Sequence, residues 1–171
     1  MVEVILRAVR VDVGSSTPLL LLEEVGGERV LPIFIGAPEA TAIAYALQHL
    51  TTPRPMSHDL LGNVIGALGA KVFSVEITDL RDNTYFATLR LVRDGTEVEV
   101  SSRPSDAVAL ALRVGAPILV SDELMASEGR FMQLDDEEED GADDVEHPSE
   151  SDLVAELREF LDSIRPEDFN R

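Results

Sequence analysis

Two stretches of this chain follow one pattern, and that repetition constrains the fold more than any other feature of the sequence. Residues 2–47 hold three apolar runs and then an alanine-rich segment that opens Pro38-Glu39-Ala40. Residues 71–113 hold three more runs and then an alanine-rich segment that opens Pro104-Ser105-Asp106-Ala107. The runs at 2–13, 18–25 and 29–35, and again at 71–80, 84–92 and 96–101, have the length and residue types of strands. Gly26-Gly27 and Asp94-Gly95 mark tight hairpin turns, because such pairs accept the positive φ that short loops need. A proline in the first turn with an acid close by marks a helix start. Ile43, Leu47 and Leu50 extend the first helix at helical spacing. Either a β-β-β-α unit has been duplicated, or a common strand–proline–acid–alanine idiom occurs twice. Both readings give an α+β fold, with a mixed β-sheet and helices packed on it.

The remaining elements fit around these units. A second helix is expected from near Ser57 to a glycine stop at Gly69. Pro117 to Val120 reads as a short strand, and Ser121-Asp122-Glu123 as the start of a brief helix that ends near Gly129. The chain has no cysteine and no tryptophan, so the core must be aliphatic, and disulfides and thiolate metal sites are excluded.

With 171 residues the chain suits one domain plus an appendage. The boundary is expected near residue 134. Residues 135–171 hold 16 acidic and 3 basic residues, against 17 and 11 in residues 1–134, so most of the net charge of −19 sits in an acidic tail. Residues 135–152, DDEEEDGADDVEHPSESD, are expected to form a disordered linker, dispensable for folding. Beyond it, in residues 153–171, Leu153, Leu157, Phe160, Leu161 and Ile164 fall at helical spacing and predict an amphipathic C-terminal helix. A helix of that kind needs a surface to cover, as do the edges of a small sheet, and a homo-oligomer, most simply a two-fold dimer, is expected. The N-terminus alternates like a strand rather than a signal peptide, and no run is long enough for a membrane span. A cytoplasmic protein with no membrane partner is the expectation.

The chemistry-bearing residues gather at helix starts. In RPMSHDLL, residues 54–61, Ser57 suits an N-cap and Asp59 the positive end of the helix dipole. His58 has no such duty; the dipole disfavours its charged form, and a neutral imidazole can exchange a proton or bind a metal. Arg103 precedes Pro104 much as Arg54 precedes Pro55, and Asp106 again lies in a first turn. Capping explains each acid separately. If the helix starts converge, Glu39, Asp59 and Asp106 supply oxygen ligands for a hard divalent cation such as Mg²⁺ or Mn²⁺. Arg54 and Arg103 would then clamp a phosphate, and the metal would activate water against a phosphodiester. His49, at a helix end, and His147, in the acidic stretch, are weaker candidates.

Together, IGAPEATAIAYAL (35–47), RPMSHDLL (54–61), VEITDLRDNTYFATLRL (75–91), SSRPSDAVALALRVGAPI (101–118) and FLDSIRPEDF (160–169) resemble the bifunctional nuclease domain family. The resemblance implies an α+β fold with a mixed sheet, self-association, and degradation of RNA and DNA without sequence preference. Carried onto this chain it picks out Glu39, Arg54, His58, Asp59, Arg103, Ser105 and Asp106. Ser101 stands where the family usually has Asp, and Ser57 where it usually has Thr. The expected function is a metal-assisted nuclease. Catalysis would fall to His58, Asp59 and Asp106, substrate binding to Arg54, Arg103 and Ser105, and the metal to Glu39, Asp59 and Asp106. The competing expectation is a non-catalytic oligomeric module that binds a small phosphorylated ligand or a protein partner.

Overall fold

The computed structural model describes residues 1–12 and 14–131. The acidic stretch 135–152, the helix expected at 153–164 and His147 lie outside the described residues.

The chain runs β1 (Val2–Val11), β2 (Pro18–Glu24), β3 (Arg29–Phe34), α1 (Ala37–Leu47), α2 (Ser57–Ala67), β4 (Ala70–Arg81), β5 (Thr84–Arg93), β6 (Thr96–Ser102), α3 (Pro104–Val114), β7 (Ile118–Val120), α4 (Asp122–Glu128) and β8 (Arg130–Phe131). The strands form one mixed sheet in the order β6-β5-β4-β7-β1-β2-β3-β8. This is the expected α+β class, and the repeated pattern is visible in space. The meanders β1-β2-β3 and β4-β5-β6 lie on opposite sides of β7, and each feeds a helix that opens with proline.

The short strand β7 joins the two meanders. Ile118 faces Val4 in an antiparallel pairing and Val75 in a parallel one. Hairpins close each meander locally. Asp94 and Gly95 both take positive φ, as does the pair Asp82 and Asn83 between β4 and β5, a turn that had no glycine to announce it. Strand β8, a two-residue partner of β3, was likewise not expected.

Helix α3 lies between α1 and α2 on the sheet, and it is the most deeply buried helix. Its alanines let it sit close: Ala107, Ala109 and Ala111 are buried beside Val108 and Leu110, against Val75, Ile77 and Leu89 of the sheet. Gly62 serves the same end from α2, because a Cβ there would stand 3.2 Å from a Val114 methyl. Gly115, left-handed at φ 69°, ends α3 as expected. The aliphatic core also takes in Leu20, Leu22, Leu31, Ile43 and Met125.

One cap differs from expectation. The N-cap of α2 is Met56 rather than Ser57, because the Asp59 carboxylate reaches back to accept the Met56 N–H at 2.8 Å. The N-cap of α3 is Arg103, with no side-chain cap; the Ser102 hydroxyl donates to the Arg103 carbonyl instead. Helix α4 begins as expected, with the Ser121 hydroxyl accepting from the Leu124 N–H.

Candidate active site

The starts of α1, α2 and α3 meet beside the β6 edge around a cavity of about 660 Å³. Glu39 comes from α1, Ser57 and His58 from α2, Ser101 and Ser102 from β6, and Arg103 and Asp106 from the start of α3. Leu61, Leu89 and Val100 supply apolar wall.

Arg103 and Asp106 are the hub. The Arg103 Nε and Nη2 donate to the two oxygens of Asp106 at 2.6 and 3.1 Å, a bidentate pairing one helical turn apart. The remaining Nη1 lies 2.9 Å from Glu39 Oε1. On the other side, His58 Nε2 lies 3.1 Å from Asp106 Oδ1. His58 is 15 % exposed at its side chain, whereas Arg103 is 65 % exposed and open to a ligand. Burial pushes the Asp106 carboxyl up, but the hydrogen bonds from Arg103 and then His58 outweigh it and hold the group below the usual carboxylate range. The Arg103 guanidinium is raised in turn, first by its bonds to Asp106. An ionised Asp106 accepts only, so the proton between the two groups sits on His58 Nε2, and in a neutral ring the lone pair is then on Nδ1.

The expected residues therefore divide. Glu39, His58, Arg103 and Asp106 share the cavity. Ser105 is buried and lines a neighbouring cavity. Arg54 is exposed in the α1–α2 loop and His49 lies just past α1; neither lines the site cavity. Asp59, the neighbour of His58 in sequence, is committed elsewhere. One of its oxygens caps α2 and the other accepts from Arg113 Nε. The Met56 N–H holds the Asp59 carboxyl below its ordinary value; partial burial opposes this and Arg113 reinforces it.

Arg113 is the residue that the sequence did not single out. It lies near the end of α3, its side chain is 10 % exposed, and it ties three helices together. Besides Asp59 of α2 it donates to the Ala42 carbonyl of α1 at 2.9 Å and to the Ala109 carbonyl of its own helix at 2.8 Å. A basic residue in a last turn has a ready local role beside the helix dipole, and nothing in its spacing shows the longer reach.

The donor set expected for a divalent ion does not fit as a trio. Both Asp59 oxygens are engaged outside the cavity, and Glu39 and Asp106 converge on a guanidinium rather than on a shared space for a cation. Among the described residues no group of three or more histidine or acidic side chains is arranged to hold a metal.

A mixed-sheet domain that gathers an imidazole, two carboxylates and an open guanidinium in one cleft is a candidate phosphoester-handling domain. Comparison with known proteins makes the family definite. The family model described as the bifunctional nuclease domain matches residues 20–133, and the chain belongs to that family. An uncharacterized protein of Mycobacterium tuberculosis is 43 % identical over 167 residues, which is 98 % of this chain and 97 % of that protein. Bifunctional nuclease 1 of Oryza sativa subsp. japonica is 29 % identical over 121 residues, 69 % of this chain and 37 % of the rice protein. Bifunctional nuclease 2 of the same plant is 30 % identical over 124 residues, 69 % of this chain and 38 % of that protein.

Proposed function

We propose that the domain cleaves phosphodiester bonds of nucleic acid in the cavity between α1, α2 and α3. The observation that carries this reading is the shared carboxylate of Asp106, which bonds the His58 imidazole on one side and the Arg103 guanidinium on the other. A phosphate on Arg103 would lie beside the imidazole. Arg103 suits a phosphate because its planar fork offers parallel donors, and its exposure lets it exchange Glu39 for a ligand oxygen. His58, with its lone pair on Nδ1, takes the proton of an attacking water. The new P–O bond forms, the bond to the sugar oxygen breaks, and solvent protonates the departing oxygen. Asp106 orients the ring and stabilises it once protonated, as a carboxylate does for any imidazole base.

The metal-assisted form of this chemistry is a separate proposal. Any divalent ion would bind through Glu39 or Asp106 after Arg103 has moved away. Neither Asp59 nor Arg54 is assigned a part in the reaction.

The test is His58→Ala, with melting curves and cleavage of single-stranded RNA and DNA measured on the same preparations, in Mg²⁺, in Mn²⁺ and in chelator. The expected result is a loss of about 10²–10⁴-fold in rate with a melting temperature close to wild type. Arg103→Lys should also lower the rate, since a point charge replaces a fork. Equal rates in wild type and His58→Ala sink this reading. They would leave the second one, a non-catalytic module for a phosphorylated ligand. That reading draws on the state of Arg103, already neutralised by two carboxylates. It expects binding of phosphate that Arg103→Lys weakens, with no turnover.

A further inference from the structure

The site cavity has a neighbour. A second cavity of about 340 Å³ lies beyond Arg103 and Glu39, and both residues line both cavities. Their 2.9 Å ion pair is thus a shared wall. The second cavity is lined differently from the first. Ile33, Phe34 and Tyr85 supply apolar and aromatic surface, while Asn83, Thr84 and Ser105 supply an amide and two hydroxyls. We propose that it is a nucleobase subsite, which takes the base of a nucleotide whose phosphate rests on Arg103.

Four observations lead there. First, its size and its mix of aromatic surface with a few convergent polar groups are those of a small-ligand pocket. Second, Phe34 is 59 % exposed at the end of β3, an aromatic ring that the fold does not bury. Third, Tyr85 is partly buried against the core, with its hydroxyl 3.5 Å from the Pro32 carbonyl, so packing keeps its ring at the cavity. Fourth, Ser74 and Ser105 are the buried polar residues among those described. Ser74 donates to Glu76, whereas Ser105 lines this cavity. Aromatic surface stacks any base, and an amide and hydroxyls can meet a base edge. The shared Arg103 sets the base next to the phosphate, as the covalent structure of a nucleotide requires.

The inference rests on the nuclease reading and adds to it a substrate form. A base can enter such a cavity only when it has left its stack, so single strands and unpaired loops are the substrates, and paired duplex is disfavoured.

The experiment measures binding rather than turnover. The full chain carrying His58→Ala, which leaves the strand uncut, is titrated with a fluorescently labelled oligothymidylate and with an abasic oligomer of the same length and phosphate count. The expected result is binding of the thymidylate on the order of tenfold tighter. Phe34→Ser should bring the two affinities together without lowering the melting temperature, because the ring is already exposed. Tyr85→Phe should keep most of the preference, and Tyr85→Leu should remove most of it. Arg103→Lys should weaken both oligomers by the same factor. Equal affinity for the two oligomers in the His58→Ala chain overturns the base subsite while leaving the phosphate site intact. So does a Phe34→Ser variant that loses both alike. Failure of both oligomers to bind removes the nuclease reading and the subsite with it.

Discussion

The two β-β-β-α units have the same layout and different work. In the first, α1 buries Ala42 and Ile43, leaves Leu47 exposed at its end, and offers Glu39 to the site through a single ion pair. In the second, α3 is buried along most of its length and carries Arg103 and Asp106, which bind each other, Glu39 and His58. Each helix opens after a strand with proline and then an acid. The helix covered on both sides by its neighbours holds the acid that two other groups depend on. The peripheral helix holds an acid with one contact. Chemistry here sits on the element with least freedom to move, which is where precise placement of a side chain is most easily kept.

That contrast predicts unequal costs for like substitutions. Asp106→Asn keeps one acceptor oxygen but replaces the other with an amide donor and removes the charge that stabilises the protonated His58 ring and pairs with Arg103, and it should lower cleavage about 10²-fold or more. Glu39→Gln loses one ion pair and should cost no more than about tenfold. Rates on matched preparations decide it, and equal losses would mean that the two acids do the same job.

Stability should divide in the same direction. Leu110→Ala, in the fully buried face of α3, should destabilise by about 2–5 kcal/mol. Leu47→Ala, at the exposed end of α1, should cost under about 1 kcal/mol. Urea melts of both would erase the distinction between the helices if the values coincided.

The smallest effect expected is on acid stability. Asp59 and Asp106 both hold their carboxyls below the ordinary value, so the folded chain binds fewer protons there than the unfolded one. Their contribution is full above the unfolded value of about 3.9 and fades as the pH falls through their lower folded values. Asp59→Asn should flatten the fall of melting temperature below about pH 4.

Local pattern made much of this molecule legible. The six long strands, the helices from Pro38, Ser57 and Pro104, and the cap at Ser121 all follow from periodicity, turn pairs and first-turn residues, whose causes lie within a few positions. A convergence of helix starts was suggested by their repetition, with Glu39, Asp59 and Asp106 as the acids and Arg54 and Arg103 beside them; of these Glu39, Arg103 and Asp106 meet, and His58 takes the place expected of Asp59. What stayed hidden depends on distance in the chain. Asp59 and His58 are adjacent, yet successive residues on a helix point about 100° apart, so only His58 enters the cavity. Arg113 meets Asp59 across 54 positions and Ala42 across 71, and no spacing rule reaches so far. The second cavity combines the end of β3, the β4–β5 turn and the start of α3 for the same reason.

The position of β7 has a consequence in time. Val2 pairs with Val120 across almost the whole described chain, and the meanders on either side are closed by short hairpins. Local pairings form fast, and a contact across so many residues forms late. The two meanders are therefore expected to be sheets in their own right before they are one sheet. During synthesis the first meander and α1 stand complete while Arg103 and Asp106 have yet to be made. The nascent chain thus carries Glu39 and His58 for some time with no guanidinium between them, and the assembled cleft arrives with the last third of the domain.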